Sequence, residues 1–199
     1  MKTREKTLYR IAIALTLVKL CFLSTILTAQ QAQGVYISAA DFSDNKLSYK
    51  SEGGKKCKVK IHNFSFKSPV KIICGDSVFH FSKDSVYGFK DYDNKSHRFY
   101  NKTVYEIISI NPYILLYKVQ EAAKTKYEAA IYSYHFSIGA GGRVFPLTIK
   151  NLETSFRDNK LFIDFLEVHF KSNGDLLEYD TNHNTYKLNY LLELSKNQK

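Results

Sequence analysis

The 199-residue chain contains no tryptophan, one methionine, three prolines and three cysteines. No internal repeat or low-complexity segment breaks it. Its missing motifs withdraw support from several chemistries. There is no Cys-x-x-Cys, so a redox-active dithiol has no basis. There is no Gly-x-Ser-x-Gly elbow to present a serine nucleophile. The glycine-rich run Gly139-Ala140-Gly141-Gly142-Arg143 does not end in the Gly-Lys-Ser/Thr that opens a phosphate-binding helix. It leads into Val144-Phe145-Pro146 and reads as a flexible hairpin loop. Of the six histidines, at 62, 80, 97, 135, 169 and 183, no two stand at a metal-ligand spacing beside a carboxylate on one helix. No metal or cofactor is implied. Asp164 and Glu167 share a helix side and read as a solvated acidic face, against a paired-carboxylate site.

What is present begins with an address. Lys2, Arg4, Lys6 and Arg10 precede an apolar run over residues 11–29, and Thr28-Ala29-Gln30-Gln31-Ala32-Gln33-Gly34 closes it with small and polar residues. A cationic start, an apolar middle and a small-residue exit are the layout of a secretory signal peptide, with the basic end held on the cytoplasmic side. Lys19 splits the run into two halves, each shorter than the roughly 20 apolar residues that span a bilayer. The favoured reading is a signal over residues 1–33, cut after Ala29 or Ala32. The competing reading is an uncleaved anchor over residues 11–29, with Lys19 snorkelling. A lipid anchor on Cys21 is disfavoured, because Lys19-Leu20 are not the small residues such a signal wants. The expected location is the periplasm or the extracellular space.

Residues 1–33 carry five of the 29 basic residues and one of the 19 acidic ones, so without them the net charge falls from +10 to +6. Much of the basic character therefore belongs to targeting. Nucleic-acid binding loses support, as does any membrane role beyond the N-terminal segment. In the densest basic cluster, Lys56, Lys58 and Lys60 alternate with Cys57, Val59 and Ile61. That alternation describes the solvent face of a half-buried strand. The rest, roughly 165 residues, suits one domain with its own core. Tyrosine and phenylalanine are abundant, which favours strands. Over-used Lys, Asn, Ile, Tyr and Phe point to a bacterium with an AT-rich genome.

Cys57 and Cys74 permit a sharper expectation. Cys57, Val59 and Ile61 share one strand face, and Val70, Ile72 and Cys74 share another. In an antiparallel hairpin the numbers of paired residues have a constant sum. The pairs 61/70, 59/72 and 57/74 all sum to 131, so one register sets the cysteines directly opposite each other. In an oxidising compartment that arrangement invites a disulfide; the other reading is two buried thiols.

Short strand signals continue to about residue 150. They cover residues 35–38, 47–50, 78–81, 86–89, 97–100, 104–110, 113–119, 127–138 and 145–149, separated by turns such as Gly75-Asp76 and residues 91–95. Residues 41–46 read as a polar turn. From residue 151 the period becomes helical. Leu161, Phe162, Phe165, Leu166 and Phe170 recur on one face, with Asp158 or Asn159 as the cap and Asn173-Gly174 as the stop. Residues 175–180 suggest a short helix and residues 185–196 a final one. Strands followed by helices predict an α+β domain. Its β-rich part, residues 34–150, is an antiparallel meander forming a curved sheet or partial barrel. The helical part is residues 151–199.

Tyr87, Phe89, Tyr92, Phe99, Tyr100 and Tyr105 cluster around Lys90, Lys95 and Arg98. The favoured reading is sheet surface and core. The sharper one is a ligand-facing patch of Tyr87, Lys90, Arg98 and Tyr100, in which aromatics stack on a sugar or base and the guanidinium grips a carboxylate or phosphate.

Four segments carry a resemblance: residues 34–42 (GVYISAADF), residues 81–89 (FSKDSVYGF), residues 146–152 (PLTIKNL), and Tyr179-Asp180 followed by Tyr186-Lys187-Leu188-Asn189. Together they resemble small exported proteins of Bacteroidota that carry no assigned function. The resemblance implies export and a single-domain organisation.

The expectation is an exported cell-envelope protein acting as a non-enzymatic binding or interaction module. Its partner would be an envelope protein, a glycan or an anionic small ligand. The alternative is a small secreted hydrolase or carbohydrate-active enzyme. Convergent carboxylates, or a histidine with a carboxylate and a hydroxyl, would favour the enzyme.

Overall fold

A computed structural model describes residues 33–51, 56–61, 68–121 and 129–197. The signal or anchor segment expected over residues 1–33 lies almost wholly outside them, as does His62. Described elements begin with strand β1 (Gly34–Tyr36) and helix α1 (Ala39–Ser43). Then come strands β2 (Cys57–Lys60), β3 (Val70–Cys74), β4 (Ser77–Phe81), β5 (Gly88–Lys90) and β6 (Ser96–Tyr100). Strands β7 (Thr103–Ile110), β8 (Leu115–Gln120), β9 (Tyr132–Ser137) and β10 (Val144–Pro146) complete the β-rich part. Helices α2 (Ile149–Ser155) and α3 (Lys160–His169), a 3₁₀ turn (Asn173–Leu177), strands β11 (Tyr179–Asp180) and β12 (Thr185–Tyr186), and helix α4 (Lys187–Asn197) follow. The domain is α+β, with a curved antiparallel sheet that does not close.

The main sheet has the order β1-β5-β6-β7-β8-β9-β10, all antiparallel. Its curvature can be read from one side chain. Strands β6 and β9 lie three apart, about 14 Å in a flat sheet. Yet Arg98 in β6 donates to Ser137 Oγ in β9 at 3.3 Å. The sheet curls around that face, which carries Tyr36, Arg98, Tyr105, Ile107, Leu115, Tyr117 and Val144. The opposite face is covered twice. Val35, Phe89 and Phe99 pack on the small sheet β2-β3-β4, while Leu116 and Phe136 pack on Leu152, Phe162, Leu166, Leu188 and Leu192 of the C-terminal helices.

The cysteine hairpin has the expected register. Cys57 pairs with Cys74, Lys58 with Ile73 and Val59 with Ile72. The two Cα atoms are 4.1 Å apart and the sulfurs stand at bonding distance. Lys56, Lys58 and Lys60 are exposed, and Cys57 is buried beneath them.

Several local elements differ from expectation: the short helix expected over residues 175–180 is the 3₁₀ turn followed by β11, residues 185–186 form β12 ahead of the last helix, and α3 stops at His169, before Asn173-Gly174. Residues 41–46 hold the end of α1 and the turn after it, not a turn alone. A capping box starts that helix: Ser38 Oγ accepts from Asp41 N, and Asp41 Oδ2 accepts from Ser38 N. At five residues it is too short for a periodic signal. Residues 47–50 form a single bridge, Ser48 to Val35, because the left-handed backbone of Tyr49, with φ of 55°, ends the extended run there. The helix at residues 149–155 replaces the end of the expected last strand, since Thr148 Oγ1 caps it by accepting from Asn151 N. The C-terminal face behaves as its period implies: Phe162, Leu166 and Phe170 are buried, and Asn159 is the cap.

Candidate functional site

Strands β5 and β6 gather three of the four expected patch residues around Arg98 and set Lys90 further along the same curled face. Tyr36, Gly88, Arg98 and Tyr105 lie side by side across four strands. A Cβ on Gly88 would stand 1.9 Å from the His97 carbonyl oxygen, so only glycine fits between these strands. Arg98 therefore points into the curl of the sheet and is 4 % exposed. Its Nη1 donates to Tyr117 Oη at 3.0 Å and to Ser137 Oγ, and its Nη2 donates to the Gly142 carbonyl at 2.8 Å. The guanidinium also lies 5.2 Å from the Tyr87 ring, 5.1 Å from Tyr100 and 5.9 Å from Tyr117. Three of the four patch residues thus converge, but as an interior cluster. The guanidinium is buried, in keeping with the favoured core reading, and its Nη1 and Nη2 both donate within the fold.

The cluster is unusual in its charge. Among the described residues no carboxylate pairs with Arg98; its hydrogen-bond partners are two hydroxyls and a carbonyl. Buried cations are normally paired. Here the rings supply the compensation through their negative faces. Arg98 Nε and Tyr87 Oη have no hydrogen-bond partner among the described residues. Burial pushes the Tyr87 phenol far above its ordinary value; the Tyr117 hydroxyl adds to the shift and the Arg98 charge opposes it.

Lys90, the fourth patch residue, lies elsewhere. It lines a cavity of about 560 Å³ at one end of the curled face. The floor is Tyr36, Phe42 and Leu115. Phe42 is fixed by α1, edge-on to Tyr36 with 5.2 Å between ring centroids and stacked on Tyr87 at the same distance. The rim comes from the last residue of α1, Ser43, and from loops: Asn45 after α1, Asn94 before β6, Asn111 and Pro112 after β7, and Gly139 and Ala140 after β9. Asn45 and Asn94 have left-handed backbones, with φ of 50° and 64°. Asparagine tolerates that conformation in tight turns.

A β-bulge completes the rim. The register of β7 against β8 shifts between Ile107 and Ser109. Ser109 consequently faces the helices, where its Oγ accepts from Asn189 Nδ2 at 2.7 Å. Ile110 then swings onto the cavity side opposite Leu115, and it is 66 % exposed there. Bulges re-aim side chains in this way. The Gly139–Gly142 loop joins cavity and cluster, since it supplies both rim residues and the carbonyl that Arg98 holds. A Cβ on Gly142 would lie 2.2 Å from the Ile138 carbonyl oxygen, which excludes any other residue from this turn.

The chemical character of the cavity follows from its lining. Among the described residues it has aromatic and apolar walls, amides and hydroxyls, and one charge, Lys90, with no Asp, Glu, His or Cys in the lining. No protein-family model, curated protein or solved structure matches the chain. The site therefore has to be read from its own chemistry.

The remaining candidates are dispersed. His97 bonds Asp91 at 2.8 Å and stacks on Phe89. His183 bonds Asp180 at 2.7 Å and stacks on Tyr190. His80, His169, Asp164 and Glu167 are exposed. Burial lowers the affinity of His135 for its proton, with Glu121 acting in the opposite sense. Among the described residues no group of three or more His, Cys, Asp or Glu is placed to hold a metal, and no helix is long and apolar enough to cross a membrane.

Sequence reasoning named Lys90 but missed Tyr36, Phe42, Asn45, Asn94, Ser96 and Asn111. They come from five separate stretches, so no contiguous motif marks them. The available signal was local: asparagines at turns beside aromatic strands.

Proposed function

We propose that this chain is an exported cell-envelope protein, acting in the periplasm or outside the cell as a non-enzymatic binding module. The observation that carries the reading is the cavity beside Lys90. Its size suits a small molecule or the end of a larger one, since ligand sites commonly span about 300–1,000 Å³. Its walls offer apolar contact and hydrogen bonds but no general acid, base or nucleophile with a raised reactivity. A glycan residue, an anionic small molecule or a side chain of an envelope protein would each fit that description. Export is supported by the cationic and apolar layout of residues 1–33 and by the opposed cysteines, which bridge stably in an oxidising compartment.

A thermal-shift screen of residues 34–199 against small metabolites and sugars tests the binding role. Ser43 is an exposed residue on the cavity rim, so Ser43→Trp would fill the mouth without entering the core. Ligands should stabilise the unmodified protein and lose their effect on the Ser43→Trp variant. Stabilisation that survives the plug would place binding elsewhere. For export, intact-mass measurement on envelope protein should return a chain beginning near residue 30 or 33. A mass matching residues 1–199 would refute cleavage.

A further inference from the structure

Resting on the cavity reading above, we infer that the ligand is a small organic anion: a carboxylate borne on a short apolar body. The argument is one of donors and acceptors. Asn111 lines the cavity, is buried, and accepts the Tyr113 backbone N–H on its Oδ1 at 2.9 Å. A backbone N–H can only donate, so this bond fixes the amide's orientation. What Asn111 has left is its NH₂ group, a donor. Asn45 lies nearby, with its Oδ1 3.4 Å from the Tyr36 hydroxyl, but a hydroxyl can donate or accept and so leaves that amide's orientation open. Lys90 adds an ammonium that makes no ion pair among the described residues. The unspent polar groups of the cavity are therefore weighted towards donors and positive charge.

The surroundings reinforce that bias. Arg98 lies two residues along the same strand face from Ser96, a lining residue, and brings a second cation, itself buried, with no carboxylate beside it among the described residues. Ser137, which accepts from Arg98, donates in turn to the carbonyl of Gly139 in the cavity wall. Low-dielectric walls concentrate such a field at the opening. Tyr36, Phe42, Leu115 and Ile110 form the apolar bed beside these donors. A carboxylate accepts several hydrogen bonds at once, and bonds to an ionised acceptor are about twice as strong as neutral ones. A neutral amide or sugar would leave part of the donor set unmatched, and an ammonium would face repulsion.

The test is an NMR titration of residues 34–199 with four probes: hexanoate, hexanamide, hexylammonium and glucose. Hexanoate should shift the amides of Ser96, Asn111 and Ala140, with hexanamide bound at least roughly tenfold more weakly and hexylammonium not at all. Lys90→Ala should weaken hexanoate by a similar factor. Asn111→Asp is the sharper variant, because an aspartate oxygen still accepts the Tyr113 N–H while presenting negative charge to the cavity. It should abolish hexanoate binding and leave the rest of the spectrum in place. Should that variant fail to fold, Lys90→Glu carries the same expectation. Hexanamide or glucose binding as tightly as hexanoate, or hexanoate binding unaffected by these variants, would overturn the anion inference and leave the cavity reading standing. No shift at the cavity with any probe would overturn both.

Discussion

Arg98 and Gly142 are joined by a 2.8 Å hydrogen bond from the guanidinium in β6 to a carbonyl in the loop after β9. This bond crosses the curl of the sheet, and the same guanidinium holds Tyr117 and Ser137 on the way. A lysine has one compact donor group where arginine has a planar fork. Arg98→Lys should therefore destabilise the domain by about 1–3 kcal/mol, the worth of one or two charge-assisted bonds. Arg98→Ala should cost about 3 kcal/mol or more, because it also empties space among three rings. Urea unfolding of both variants checks the order.

The opposed cysteines constrain a loop with a sequence separation of 17. Closing a loop of about that length reduces the entropy of the unfolded chain by the equivalent of about 3 kcal/mol. Replacing both cysteines by alanine should lower stability by about 2–4 kcal/mol. A reductant should reproduce the loss in the unmodified protein and have no further effect on the variant.

His135 gives the domain a pH dependence. Burial lowers its folded-state pKa below the ordinary value of 6.5. Its Nδ1 is buried without a hydrogen-bond partner, and its ring lies 5.2 Å from Tyr105. Well above pH 6.5 the imidazole is neutral in both states, so it contributes no slope. As pH falls below 6.5 the unfolded chain takes up the proton more readily, so stability declines. His135→Phe should flatten the decline between pH 7 and 5 relative to the parent. Chemical denaturation at several pH values reads the difference.

Asn159 acts at both of its amide atoms. Its Oδ1 caps α3 by accepting from Phe162 N, and its Nδ2 donates to Ser195 Oγ in α4 at 2.8 Å. Asn159→Ala should cost about 1–2 kcal/mol through the lost cap. Asn159→Asp keeps the cap acceptor and loses the donor to Ser195. Hydrogen exchange should then accelerate in both helices for alanine, and chiefly in α4 for aspartate.

The cysteine hairpin was legible because each of its strands alternates, with lysines outward and Cys57, Val59, Ile72 and Cys74 inward. A period of two fixes which side faces in, and the shared sum fixes the register. The helix at residues 160–169 was legible for the corresponding reason at a period near 3.6. Strand β6 is different. Phe99 packs on the small sheet and Arg98 points into the curl, so both faces are covered and no polar-out alternation survives. The sequence Ser96-His97-Arg98-Phe99-Tyr100 is consistent with either orientation of the arginine. The bulge at residues 107–109 hid Ile110 similarly, because one extra residue reverses the parity of everything after it. The cavity itself is an assembly of loop residues brought together only by the curl.

The hydrogen bonds of Arg98 also set an order of events during folding. Strands β2 to β4 find their partners within about 25 residues of chain, so their loop-closure entropy is small and their pairing is fast. Arg98 must wait for Gly142, 44 residues further on. Until that loop arrives, the guanidinium is better left in water than buried among tyrosines. The hairpin should therefore form early and the curl late. Substitutions at Ile72 should change the folding rate and those at Arg98 chiefly the unfolding rate.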